Sequence, residues 1–105
     1  MNERIIFAAI LRTDNCIVFG RDHADCIKRS PKGTCKGDRL QQGFLTDKFR
    51  FIRRKEAAII AYQAEQIDKI EPDQVLISEE LWCPQSGGKF AYDEKLGYQK
   101  RPDRR

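Results

Sequence analysis

The chain has 105 residues, 40% of them hydrophobic and 34% charged, a size and balance that suit one small globular domain with a single core. Its longest apolar run, residues 5–11, falls far short of the roughly 20 residues needed to cross a bilayer, which excludes a membrane helix there. The formal net charge is +4, but four basic groups fall in the last six residues, so the body is close to neutral and strong general nucleic-acid binding is not expected.

Residues 5–11 read as a central strand buried on both faces. Thr13-Asp14-Asn15 supplies turn chemistry, Cys16 to Phe19 resumes with strand formers, and Gly20 closes a β-hairpin. A short helix is expected near 22–29, followed by loop composition from Ser30 to Asp38. Gly43-Phe44-Leu45-Thr46 and Phe49-Arg50-Phe51-Ile52 predict a second hairpin with Phe49 and Phe51 on one face. Ala57, Ile60, Ala61, Ala64 and Ile67 recur at helical spacing, a narrow stripe of small residues that predicts the main helix over about 54–67 lying close on a sheet. Pro72-Asp73 marks a linker, and Val75-Leu76-Ile77 opens an expected last strand that ends near Trp82. Beyond it, Pro84 and Ser86-Gly87-Gly88 break regular structure, and residues 98–105 read as a basic, frayed tail. The expected fold is α+β, an antiparallel sheet of four to five strands with one main helix, in a single domain over residues 1–97. The opening residues show no targeting segment, and the expected location is the cytoplasm.

Four cysteines, Cys16, Cys26, Cys35 and Cys83, lack the close pairs that zinc ribbons use to preorganise a tetrahedron, so free thiols or core cysteines are the expected reading. A mixed site built on His23 and Cys26 is the alternative. No metal and no cofactor is expected. His23 is the sole histidine, and neither a nucleophile elbow nor a two-metal ligand pattern is present, which weighs against hydrolytic chemistry. Ser86-Gly87-Gly88-Lys89 lacks the spacing of a phosphate loop and reads as a turn.

Aromatic and cationic residues are interleaved instead. Phe44, Phe49, Phe51 and Trp82 alternate with Arg50, Arg53 and Arg54, and Arg21 lies upstream beside His23. Rings and guanidinium planes stack on bases, and Arg or protonated His donates to phosphate, which is the general physics of nucleotide capture. Glu79 and Glu80 read as surface acids, one of which can accept from a sugar hydroxyl or a base amine, and Glu79, Trp82 and Thr46 complete the candidate binding set.

The segments Gly20-Arg21-Asp22-His23-Ala24-Asp25-Cys26, Gln42-Gly43-Phe44-Leu45-Thr46, Arg50-Phe51, Glu56-Ala57-Ala58 and Ser78-Glu79-Glu80-Leu81-Trp82 together resemble a group of small bacteriophage proteins. The resemblance runs from the first strand to Trp82. Within that group the chain is similar to the first-described family of Thoeris anti-defence proteins, oligomeric sponges that sequester cyclic ADP-ribose-type signals and, in some members, cyclic oligonucleotides. The resemblance implies a homo-oligomer that binds a cyclic nucleotide without turnover in the host cytoplasm. It places adenine stacking on Phe44, with Phe49 next, and phosphate contacts on Arg21, Arg50 and Arg53, with His23 as a second phosphate contact. Asp22, Phe49 and the loop from Ser30 depart from the group's pattern. A module that inhibits a host protein and a small metal-assisted nucleotide hydrolase are the alternative functions.

Overall fold

The structure, a computed structural model, describes residues 3–35, 41–83, 85 and 88–100. The expected breaks at Pro84 and Ser86-Gly87, the end of the Ser30 to Asp38 loop, and residues 101–105 lie outside these. The chain is α+β. A four-stranded antiparallel sheet has the order β2-β1-β3-β4, and a separate two-stranded sheet pairs β5 with β6.

Strand β1 (Ile5–Leu11) is buried over its first six residues and sits inside the sheet, as its apolar run predicts. It pairs with β2 (Ile17–Gly20) from Ala8↔Gly20 to Leu11↔Ile17. The turn between them is held by Asp14, whose Oδ1 accepts from the Cys16 amide (3.2 Å), while Asn15 takes a left-handed conformation (φ 66°) that its residue type tolerates. Helix α1 (His23–Lys28) follows, N-capped by Asp22, whose Oδ1 accepts from the Asp25 amide at 2.7 Å. It packs on β1 and β2 with Cys26 buried. On β1's other side, β3 (Gln42–Thr46) pairs antiparallel with β1 and with the edge strand β4 (Phe51–Arg53). Phe49 is not a strand residue. It lies in the β3–β4 turn with φ 58° and its ring exposed, because the chain needs a left-handed residue there to close the hairpin.

Helix α2 (Arg54–Gln63) buries Ala57, Ala58, Ile60 and Ala61, and stops one turn short of the expected 54–67. Glu65 turns left-handed (φ 61°) and the Gln66 amide returns to the Ala61 carbonyl (2.7 Å). The turn delivers Gln66, 3% exposed, to the start of β1. There its Oε1 accepts from the Ile5 amide and its Nε2 donates to the Ile5 carbonyl, both at 2.8 Å.

The strand expected from Val75 is absent. Leu76 is buried, but its backbone belongs to Arg54. The Leu76 amide donates to the Arg54 carbonyl (3.0 Å) and the Arg54 Nε donates to the Leu76 carbonyl (3.0 Å). Ladder pairing is thereby replaced, and the segment runs into the single-turn helix α3 (Glu79–Trp82) with Leu81 buried. The tail expected over 98–105 is corrected for residues 98–100, which belong to a strand. β5 (Phe90–Asp93) and β6 (Gly97–Lys100) form a hairpin in which Tyr98 is fully buried. At Gly97 (φ 81°) a Cβ would stand 2.1 Å from the Ile6 carbonyl oxygen, so β6 crosses β1 at a contact only Gly allows.

One core, with Ile5, Ala8, Phe44, Ile52, Ala61, Leu81 and Tyr98, lies between the sheet, α2, α3 and β6. A second, with Ile6, Phe7, Ala9 and Leu45, takes Phe51 and Tyr92 against it. Among the described residues, no helix is long and apolar enough to cross a membrane.

Replacing Gln66 by Met keeps its volume but strands the amide and carbonyl of Ile5 in the interior. Urea unfolding should show a loss of about 3 kcal/mol; an unchanged midpoint would mean that Ile5 finds other partners.

Candidate functional site

Five of the nine candidate residues meet where the end of β2, the start of α1 and α3 converge. Arg21, half exposed, holds its Cζ 4.5 Å from the centroid of the Trp82 ring. Its Nε donates to Asp22 Oδ2 at 3.3 Å, and its carbonyl accepts from the buried Tyr98 hydroxyl. Asp22 is itself fixed as the α1 cap, so the guanidinium is oriented from the backbone outward. His23 packs edge-on against Phe44, with ring centroids 5.3 Å apart, and its Nε2 donates to the Gly43 carbonyl at 2.8 Å. That bond places the proton on Nε2. Glu79 is exposed on α3 nearby, close enough to act electrostatically on His23.

Phe44 cannot act as the stacking platform expected of it. Its ring is wholly buried beneath His23, with neither face open to a ligand. The alternation along β3 turns Phe44 toward α2 while Leu45 faces the other core. Trp82, half-buried against the core, instead carries the Arg21 guanidinium over its ring, and Arg21 keeps about half its surface open.

The other candidates lie apart. Thr46 is fully buried; its hydroxyl donates to the Glu3 carboxylate and accepts from the amides of Lys48 (3.2 Å) and Arg50 (3.3 Å). Arg50 makes a two-point contact with Glu3, Nε to Oε2 at 2.9 Å and Nη2 to Oε1 at 2.7 Å. The Arg50 contact and the Thr46 hydroxyl hold the Glu3 carboxyl down to about 2. Arg50 thus already has an anionic partner, and Thr46 locks a turn. Phe49 is exposed at the tip of that turn, and Arg53 is exposed at the end of β4. Neither reaches the Arg21–Trp82 cluster.

Two residues outside the candidate binding set shape the cluster. Asp22 caps α1, and its signal is legible as an acid three positions before Asp25 at a helix start. Arg54 donates to the Leu76 carbonyl and to Gln42 Oε1 (3.2 Å), and its charge bears on His23; only the fold brings it there. Cys26 is buried, which pushes its thiol up to about 12 and leaves it a core group. All four cysteines are free thiols, and no three His, Cys, Asp or Glu side chains among the described residues are grouped to hold a metal.

The fold and this cluster define a small antiparallel α+β protein that presents an arginine on a tryptophan. Its residues 4–82 match the model of the phage T4 y16D protein family, and the chain belongs to that family. No curated protein and no solved structure matches it. The phage part of the sequence resemblance stands on that match.

Two outcomes check this arrangement. Phe44→Ala should cost about 3–5 kcal/mol of folding stability, as expected of a core aromatic; a loss below about 1 kcal/mol in urea titrations would put Phe44 outside the core. Burial, followed by the Arg54 charge, lowers the His23 pKa below its ordinary 6.5, against the raising influence of the Gly43 hydrogen bond, Glu79 and Asp22. The unfolded chain then binds the proton more readily, so stability should fall as pH drops below about 6.5 and level off under the lowered folded value. Glu3 adds a separate loss in stronger acid, between its ordinary 4.5 and about 2. Unfolding free energies measured from pH 8 to pH 5 should show the first slope, and His23→Gln should remove it.

Proposed function

We propose that this phage protein captures a nucleotide signal of host defence and does not cleave it. The observation that carries the reading is the Arg21 guanidinium held over the Trp82 ring with about half its surface open. A guanidinium fixed in this way offers a plane to a base and N–H groups to a phosphate. Glu79 provides an acceptor beside it, and Arg54 adds positive charge behind it. His23 supports binding over proton transfer, since Nε2 is engaged by Gly43 and burial favours the neutral ring. The cyclic class, of the cyclic ADP-ribose type or a cyclic oligonucleotide, is the ligand that the sequence resemblance implies.

A thermal-shift panel of cyclic ADP-ribose isomers and cyclic di- and trinucleotides tests the reading. A ligand present at 100 times its dissociation constant should add about 2.7 kcal/mol of stability. The shift should disappear in Arg21→Ala and shrink in Trp82→Leu, and mass analysis should return the nucleotide intact. A nucleotide returned altered would replace capture by hydrolysis. A shift that survives both substitutions would move the ligand away from this cluster.

A further inference from the structure

The four-stranded sheet ends in β2 on one side and β4 on the other, and the two edges are treated differently. On β2 the Arg12 amide donates to the Cys16 carbonyl (2.8 Å), so alternation turns the backbone groups of Ile17 and Phe19 away from β1. The Arg29 guanidinium donates to the Phe19 carbonyl from that outer side. A charged side chain standing on an edge strand guards it against an added strand. On β4 the Arg50 carbonyl accepts from the Thr46 amide (3.0 Å) and Ile52 pairs with Phe44, so the amide and carbonyl of Phe51 and the amide of Arg53 turn outward. The Arg53 carbonyl is directed into α2, which Arg53 caps. No strand, and no counterpart of Arg29, meets these outward groups among the described residues.

A groove of about 650 Å³ wraps around this edge. Phe51 and Arg53 line it from the sheet face that bears Leu45, and Ile59 lines it from α2, with 46% of its surface exposed. Gly43 helps to shape it. A Cβ at that position would stand 2.7 Å from Phe51 Cζ, so the ring lies back over the sheet and leaves the edge accessible. Of the cations in the groove, Lys55 is bonded to Asp73 (2.8 Å), while Arg53 is exposed beside the outward backbone groups.

We propose that the β4 edge binds an extended segment of another protein as an added antiparallel strand. Donors and acceptors at strand spacing recognise a polypeptide backbone, which a lipid headgroup or a nucleic-acid phosphate does not reproduce. The side chains of the segment follow from the register. The residue opposite Arg53 meets the guanidinium and fits as Glu or Asp. The next points to the α2 side and fits as an apolar residue against Ile59, and the one after it, opposite Phe51, fits as an apolar residue on that ring. In the partner's own direction the segment is therefore an acid followed by two apolar residues. A folded second copy of this chain does not supply it. Its own runs of that kind are Asp25-Cys26-Ile27, Glu56-Ala57-Ala58 and Glu80-Leu81-Trp82, and each lies in a helix, with Cys26, Ala57, Ala58 and Leu81 buried. The surface uses no residue of the Arg21–Trp82 cluster and stands or falls independently of the nucleotide reading.

Fluorescence anisotropy tests it, with the full chain and a panel of labelled peptides in which Glu is followed by two residues drawn from Val, Ile and Phe in a Ser/Thr frame. The panel should contain binders with dissociation constants below about 1 mM. N-methylation of the second apolar residue deletes the donor to the Phe51 carbonyl and should weaken binding roughly five- to tenfold. N-methylation of the first apolar residue, whose amide points away from β4, should leave binding unchanged. Arg53 makes no side-chain cap bond to α2, so Arg53→Glu keeps the fold and should reverse the charge preference, a peptide with Lys in place of Glu then binding more tightly than its parent. No binding to about 1 mM by any peptide, equal effects of the two methylations, or an unchanged charge preference would each overturn the proposal. Self-association in sedimentation equilibrium that these peptides compete away would give the edge to a second copy and overturn it as well.

Discussion

The side-chain amide of Gln66 does for Ile5 what a neighbouring strand does for the rest of β1. Strand β2 reaches back only to Ala8, and Arg4 already turns its amide and carbonyl toward Asp47 on the β3 side. By alternation Ile5 points its own groups to the side that β2 does not cover. Both are buried and both need partners. Gln66 provides a donor and an acceptor in one planar group. The end of α2 after Gln63, the left-handed Glu65 and the irregularity between Ile5 and Phe7 all lie where this contact is made.

The position of α2 then settles the rest of the chain. Its first residue, Arg54, offers a carbonyl and a guanidinium to the two backbone groups of Leu76. That clasp holds residues 75–77 extended without a ladder and sets the direction in which α3 begins. Leu81 closes the core, and the next residue, Trp82, stands under Arg21. Arg21 arrives from the other side of the fold, oriented by the Asp22 cap and by the Tyr98 hydroxyl on its carbonyl. The cluster is thus assembled from four separate segments, each held by a hydrogen bond to backbone or cap.

Local pattern was enough for the elements whose stability is local or periodic. The run at Ile5, the Asp14-Asn15 turn and the Ala57-Ile60-Ala61 stripe announce a buried strand, a hairpin and a packed helix. Val75-Leu76-Ile77 has the same β-forming composition as a strand, but its hydrogen-bond partner is Arg54, some twenty residues away, and nothing nearby in sequence says so. At the C-terminus, the basic composition of the last residues obscured Gly97 and Tyr98, one placed by close approach to Ile6 and the other by burial. For the site, the mixture of Phe and Arg was legible, but an aromatic beside an arginine looks alike in a core and on a surface. Phe44 and Trp82 are separated only by the face of the fold on which they fall. Glu3, which engages both Thr46 and Arg50, had no signal beyond being an acid near the start.

The arginines show why residue type alone does not define a binding surface. Arg50 faces a carboxylate that stays ionised well below its ordinary range, so much of its field is cancelled locally. Arg54 donates to a backbone carbonyl and an amide oxygen, groups that satisfy its hydrogen bonds without neutralising its charge, and after burial, the larger cause, that charge helps to lower the His23 pKa. Arg21 contributes a second positive charge over Trp82, moderated by Asp22. Two cations set among carboxylates attract a small anion but do not favour a long polyanion, whose phosphates would meet those acids as well. The local balance of charge therefore agrees with the near-neutral body of the chain, and under the proposed function both suit a compact phosphate-bearing ligand better than a nucleic-acid strand.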